Sequence, residues 1–292
     1  MKRTFLLRFF RLFILITPII TSILVVTSCI PTKEVTWDSR FVERFHPTVS
    51  AMAQAKTGIH NVNIDAVNDG ITLHLGQTIG DGKTIYIALD VVSTDIIDAN
   101  DVEIESVQFY NGKIAYNDII EKDIDEILCG KSIEQQAVDA DANSIPYIIS
   151  FIAHDRSFFD SEITMIIQVS VQNGSEQAIT SKPFVMSWIP KNKGSIYDLS
   201  LNNDAGNLAG RATLSALSFY AELFSFGYDT FEELVESVEI IMKDGSIVKP
   251  KGSMSGSFTS TLGYHTIRWQ FSEILILKEV KSLQIGGYKI II

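Results

Sequence analysis

A mainly all-β fold, built as two small antiparallel β-sandwiches in tandem with a short helical insertion, is predicted for this 292-residue chain. Three features predict it. Apolar residues alternate at period two in one short segment after another, which turns one face of each segment toward a core. Turn sequences such as Asn68-Asp69-Gly70, Asp244-Gly245 and Gly286-Gly287 separate those segments at hairpin spacing. No alternation of strand and helix patterns occurs, which argues against a parallel sheet and for sandwiches of immunoglobulin-like type.

The first element, residues 1–28, is predicted to be a membrane-targeting helix. Lys2, Arg3, Arg8 and Arg11 precede a charge-free apolar run from Leu12 to Val26. Cations resist transfer across a bilayer while an apolar helix partitions into it, so the basic end stays cytoplasmic and the following chain is carried outward. The run stops at Val26-Thr27-Ser28-Cys29, which resembles the lipobox of bacterial lipoprotein signal peptides. The resemblance implies that the Cys29 thiol carries a diacylglycerol thioether and that the chain is cut before Cys29. Two alternatives stay open: an uncleaved anchor, since Phe5 to Ser28 is long enough to span about 30 Å of hydrocarbon, and free secretion after cleavage. Under all three, residues 30–292 lie outside the cytoplasmic membrane.

Residues 29–57, aperiodic and carrying Pro31 and Pro47, are expected to form a tether. The first β domain is predicted over 58–190. Asn61 to Val67 and Ile71 to Leu75 form a hairpin about Asn68-Asp69-Gly70; Ile85 to Val91, Val102 to Tyr110, Tyr147 to His154 and Ile163 to Val171 follow as strands. Between them, Ile120, Ile124, Ile127 and Leu128 recur at spacings of three and four, which predicts a short amphipathic helix within an acidic insertion, residues 117–144. Cys129 follows that apolar face and reads as a buried small residue. Pro190-Lys191-Asn192-Lys193-Gly194 is the expected boundary. The second β domain, 195–292, is predicted from Val238 to Met242 paired across Asp244-Gly245, the strand from Thr266 to Phe271, and the closing hairpin around Gly286-Gly287, with a helical turn or two between Asp229 and Glu236.

Two of these segments carry a further resemblance. Val67-Asn68-Asp69-Gly70-Ile71-Thr72-Leu73 and Asp81-Gly82-Lys83-Thr84-Ile85-Tyr86-Ile87 resemble a bacterial domain of unknown function found on the extracytoplasmic side of transmembrane anti-sigma factors. Leu277 to Gly287 looks like the closing hairpin of the β domain that commonly follows it. The resemblance implies an extracytoplasmic module with no agreed ligand or reaction. Those anti-sigma factors hold their sigma partner with a helical segment before the membrane span, and here only Met1 to Arg11 precede it, so a separate regulatory partner is the form that role would take.

Charge and motif content narrow the function classes. The chain carries 24 Lys and Arg against 35 Asp and Glu, a formal −11, and four of the basic residues lie in the N-terminal stretch. So acidic an exported body repels nucleic acid and anionic lipid. With only Cys29 and Cys129, no disulfide framework holds the fold. His46, His60, His74, His154 and His265 show no zinc-site spacing, and His154-Asp155-Arg156 alternates across a strand. Asp139-Ala140-Asp141-Ala142-Asn143 begins like a calcium loop, but Ser144 stands where the sharp-turn glycine belongs. Asp95, Asp98 and Asp101 read as a solvated acidic loop. Gly252-Ser253-Met254-Ser255-Gly256 has methionine in place of a nucleophilic serine and is expected to be a flexible loop. Trp37, Trp188 and Trp269 are candidates for core or groove. No catalytic residue, metal site or cofactor is expected. The expected role is a membrane-anchored, non-enzymatic interaction module that docks an envelope partner, with an anti-sigma-type regulatory system or a cell-wall glycan-acting enzyme as alternatives.

Overall fold

The period-two segments pair into four antiparallel sheets in the computed structural model, which describes residues 36–93, 101–122, 128–137, 143–153, 156–171, 179–191, 194–202, 205–224, 231–259 and 264–292. The first sheet contains β1 (Ile59–Asn68), β2 (Ile71–Gly80), β3 (Thr84–Ser93), β5 (Leu128–Gln135) and β6 (Ser144–Ala153), in the order β1-β2-β3-β6-β5. Asp69 (φ 49°) and Gly70 (φ 78°) close the β1–β2 hairpin. Two successive positive φ angles make the turn whose twist matches the strands, and Asp-Gly tolerates both. Facing this sheet are β4 (Val102–Asn111), β7 (Ile163–Val171), β8 (Ile179–Thr180) and β9 (Phe184–Trp188), with β4, β8 and β9 all pairing with β7. Leu73, Leu75, Ile87 and Leu89 meet Val107, Phe109, Met165 and Ile167 in one core, each at most 1% exposed.

The second pair repeats the arrangement. One sheet has the order β10-β11-β12-β16-β15, from β10 (Ile196–Asn202), β11 (Leu208–Ser215), β12 (Ser218–Phe224), β15 (Gly252–Thr259) and β16 (Tyr264–Phe271). Its partner has the order β14-β13-β17-β18, from β13 (Glu239–Met242), β14 (Ile247–Val248), β17 (Val280–Ile285) and β18 (Tyr288–Ile291). Phe219, Leu223 and Ile267 from the first meet Ile240, Leu283 and Ile285 from the second. A β-rich fold of antiparallel sheets, each pair closed over its own apolar core, is thus what the alternation encodes.

Two expectations are corrected. Residues 29–57 do not all form a tether, because α1 (Ser39–Phe45) and α2 (Val49–Ala55) fold onto the outer face of the first sheet, and Trp37 to Ile292 form one compact unit. Asp38 caps α1 by accepting from the Arg40 amide, and Thr48 caps α2 by accepting from the Ala51 amide. At seven residues each, such helices do not persist alone, so packing must hold them. Phe41 and Phe45, one turn apart, are 0% and 1% exposed, and Phe45 meets the ring of Tyr86 edge-on at 5.0 Å. Burial of this size contributes about 2 kcal/mol per side chain. The insertion is corrected as well. Helix α3 (Tyr116–Lys122) is present, but Leu128, expected on its apolar face, begins β5, which pairs with β6 from Leu128 to Gln135. The open edge of β6 offers hydrogen bonds along its length that a longer helix would leave unmade. Helix α4 (Phe231–Glu236) carries Glu232 and Glu233 in its first turn, as expected.

The strap formed by α1 and α2 is pinned by charge. The Arg40 guanidinium donates to Asp38 Oδ2 (2.7 Å), Asp90 Oδ1 (3.0 Å) and the carbonyl oxygen of Leu89 (2.9 Å). The Asp38 amide donates to Gln77 Oε1 (2.8 Å). Burial pushes the Asp38 carboxyl up, but hydrogen bonds and charge from Arg40 outweigh it and hold the group below its ordinary range. Arg44 stacks on Tyr86, 5.1 Å from the ring centre, and pairs with Glu134 of β5.

Removing one partner of such a part-buried pair strands the other, so Arg40→Ala is expected to cost about 3 kcal/mol in urea unfolding at pH 7. The Asp38 pKa is depressed by folding, so its contribution is present above the unfolded value near 3.9 and is lost as pH falls through the folded value. The wild-type advantage over Arg40→Ala should therefore shrink below about pH 4.

Candidate functional site

An apolar concavity lies on the second sandwich, where the chain between β16 and β17 leaves the sheets. Its volume is about 520 Å³, within the range of small-molecule sites. Phe271, Ile274 and Leu275 form one side, and Ile247, Val248 and Pro250 the other. Asp244 and Gly245 (φ 89°) turn β13 into the two-residue edge strand β14, and that turn brings Ile247 and Val248 to the groove at 56% and 37% exposure. Opposite, the Leu275 amide donates to the Ala216 carbonyl (2.9 Å) and the Leu275 carbonyl accepts from Gln54 Nε2 (2.7 Å). One wall is thus anchored to both the β11–β12 turn and the strap.

The rim is charged but compensated. Lys249 Nζ lies 3.2 Å from Glu239 Oε1 and donates to the Glu236 carbonyl at 2.6 Å, while Lys251 Nζ lies 3.3 Å from Glu273 Oε1. Exposed pairs of this kind contribute at most about 1 kcal/mol each. An apolar floor beneath a paired rim suits an uncharged apolar group, in which burial supplies the affinity and the rim supplies little.

A second hollow, about 610 Å³, lies on the first sandwich between β1, β9 and the start of α3. It differs in chemistry: Asp65, Asp118 and Glu162 line it together with Lys113. His74 Nδ1 sits 2.6 Å from Asp65 Oδ1 at the exposed surface of the β1–β2 hairpin.

The residues singled out from the sequence are not drawn into one site. Val26, Thr27, Ser28 and Cys29 lie outside the described residues, as do Asp95, Asp98, Asp139, Asp141, His154 and Asp155. His46 terminates α1 with φ 40°. His60 lies in β1, where burial and then the charge of Lys191 push its pKa down. His265 is buried in β16. Cys129 lies in β5. Trp188 and Trp269 belong to the two cores at 5% and 9% exposure, whereas Trp37 is half-buried before α1. The segment Gly252 to Gly256, expected as a flexible loop, is instead the start of β15, paired residue for residue with β16 from Phe271 to Ile267. Its serines and glycines conceal a strand because pairing, rather than side-chain pattern, fixes it. Among the described residues, no group of three or more His, Cys, Asp and Glu is placed to hold a metal ion, and no helix is long and apolar enough to cross a membrane.

Ile247→Glu puts a charge into the groove from an exposed edge position. It is expected to change stability by about 0.5 kcal/mol or less and to abolish the fluorescence enhancement that the uncharged apolar dye Nile red shows on binding the wild type.

No family model and no curated protein matches the chain. Among solved structures, the chain is similar to a conserved domain protein from Bacillus anthracis, at 11% identity over 85% of this chain and 83% of that one, with a TM-score of 0.49. It is also paired with the C-terminal domain of an AgI/II polypeptide, BspA, from Streptococcus agalactiae, at 10% identity over 77% of this chain and 84% of that one, with a TM-score of 0.13. Neither likeness carries an inference about function.

Proposed function

We propose that this chain is a lipid-anchored, extracytoplasmic binding module, held at the outer face of the cytoplasmic membrane through Cys29. The observation that carries this reading is the N-terminal order of basic residues, an apolar run, and Val26-Thr27-Ser28-Cys29. Physical chemistry supports the first steps, since the cations fix orientation and the apolar run partitions into the bilayer, and the resemblance of Val26-Thr27-Ser28-Cys29 to a lipobox implies that the Cys29 thiol accepts the diacylglycerol. The folded body begins close behind, since the Asp38 amide is already bonded to Gln77. From there the chain presents the apolar groove of Phe271, Leu275, Ile247 and Val248 as the binding surface. The role is docking of an envelope partner or ligand and involves no chemistry. The anti-sigma-type system, working through a separate regulatory protein, is a special case in which that partner is the regulator.

A second reading has one observation in its favour. The carboxylates of Asp65, Asp118 and Glu162 around the hollow of the first sandwich suit a glycan-acting enzyme, in which one acid protonates and another attacks or activates water. Release of reducing sugar from cell-wall glycan by the wild type, lost in Glu162→Gln, would favour it over the binding module.

Mass spectrometry of the N-terminus of membrane-extracted protein tests the principal reading. A diacylglycerol-modified Cys29 terminus is expected in the wild type and none in Cys29→Ala, which should retain its uncleaved N-terminal segment. An intact Met1 terminus in the wild type would replace the lipid anchor with a spanning helix, and an unmodified cleaved terminus would indicate free secretion.

A further inference from the structure

The joint between the two sandwiches contains a buried carboxyl group that no binding role uses. Asp81, 2% exposed, sits at the turn between β2 and β3. Its Oδ1 accepts from the amides of Lys83 (3.1 Å) and Thr84 (2.9 Å), both in its own turn. Its Oδ2 accepts from the amide of Leu217 (2.8 Å), in the β11–β12 turn of the other sandwich. The two oxygens thus divide the labour: one shapes the local turn, and the other crosses the joint. Burial pushes the carboxyl up from its ordinary range, while the Ser215 hydroxyl and the amides of Thr84, Leu217 and Lys83 act against this.

The β11–β12 turn is gripped from its other side as well. The Leu217 carbonyl accepts from the Phe271 amide (2.8 Å), and the Ala216 carbonyl accepts from the Leu275 amide (2.9 Å). The turn therefore moves with the second sandwich, and Asp81 moves with the first. Around this bond the space is closed. A methyl group on Gly194 would fall 2.3 Å from the Asp81 Cα, so only glycine lets the connecting chain pass. Lys83 Nζ lies 4.5 Å from the ring centre of Tyr220, Thr84 Oγ1 lies 2.6 Å from Ser218 Oγ, and Ser150 Oγ lies 3.2 Å from Gln270 Oε1.

We propose that Asp81 is a conformational latch, in which the Oδ2 bond to the Leu217 amide locks the two sandwiches into one rigid body that comes apart at the joint while each sandwich stays folded. The hydroxyl pairs nearby are exchangeable for water when the joint opens. The Leu217 amide is different, because it faces a carboxyl oxygen that is buried and already committed. The walls of the apolar groove, through Phe271 and Leu275, hang from the same turn. Release of the latch therefore reaches the groove directly.

Asp81→Asn separates the two oxygens. The Asn amide oxygen still accepts from Lys83 and Thr84 and keeps the local turn, while its NH₂ group confronts the Leu217 N–H, donor against donor. Hydrogen-exchange mass spectrometry and calorimetry of the full chain in detergent read the result. Exchange in the peptide covering residues 215–218 is expected to rise about tenfold or more in Asp81→Asn, since a buried donor has lost its acceptor. Peptides from β7 and β17 should keep their wild-type protection, and calorimetry is expected to show one unfolding transition for the wild type and two for Asp81→Asn. Ser218→Ala, which removes a neighbouring hydroxyl from the same joint, should stay within about threefold of wild type. Wild-type exchange in Asp81→Asn would overturn the proposal. So would loss of protection in β7 and β17, which would make Asp81 a determinant of folding throughout, or opening of the joint by Ser218→Ala to the same extent, which would make the carboxyl one contact among equals.

Discussion

Burying a carboxyl group far from water is costly unless each oxygen finds donors, and that constraint organises the middle of this protein. Asp81 meets it by drawing amides from two different sheets, Lys83 and Thr84 from its own turn and Leu217 from the turn between β11 and β12. Because the donors are backbone groups, their positions are fixed by the strands that carry them, and the mutual placement of the sandwiches follows. The glycine at 194 and the close pair of Thr84 and Ser218 are consequences of that fit.

The outer face of the first sheet shows the same economy. In β3 and β6 most residues are buried, because one face meets the apolar core and the other is covered by the strap and by the second sandwich. Tyr86 illustrates this with its ring against Phe45, Arg44 across it, and its hydroxyl 3.3 Å from the Phe271 carbonyl. Burial raises its pKa, with the nearby Arg44 acting in the opposite direction. A surface that would be solvated in an isolated sandwich here serves as a second interior. The apolar groove is built at the border of this region, where Gln54 of α2 holds both the Leu275 carbonyl and the Leu277 amide (3.0 Å). Strap, joint and groove are thus linked through a few backbone hydrogen bonds at Ala216, Leu275 and Leu277.

The reach of the sequence is clearest where one face of a strand stays wet. In β2 and β4 the alternation is visible as Leu73 and Leu75 or Val102 and Ile104, and those strands form where the pattern places them. Asn68-Asp69-Gly70 and Asp244-Gly245 specify their turns because few other residues accept positive φ there. The same reasoning fails for β12, whose Ser218–Phe224 is buried on both faces, and for β15, whose polar residues pair with β16 without an apolar stripe. It fails for α1 also, since two phenylalanines one turn apart are too short a signal to distinguish a docked helix from a tether. The groove left a trace in the apolar stretch Ile274 to Leu277, which has no period of either kind, but nothing local says that Ile247 and Val248 lie across from it.

What the sequence by itself determined is therefore the β class, the hairpins and the two separate apolar cores, all of which arise from interactions between residues near in the chain or from simple alternation. The basic, apolar and lipobox-like order at the N-terminus is likewise carried by local chemistry alone. Only the tertiary structure decided that residues 38–55 cover a sheet, that Leu128 begins the edge strand β5 where its spacing predicts the end of a short helix, and that Asp81 joins two sandwiches. The reason is range: Arg40 to Asp90, Gln54 to Leu275 and Asp81 to Leu217 are contacts between residues 50 or more positions apart in the chain, and their partners are chosen by geometry that no short stretch of sequence contains.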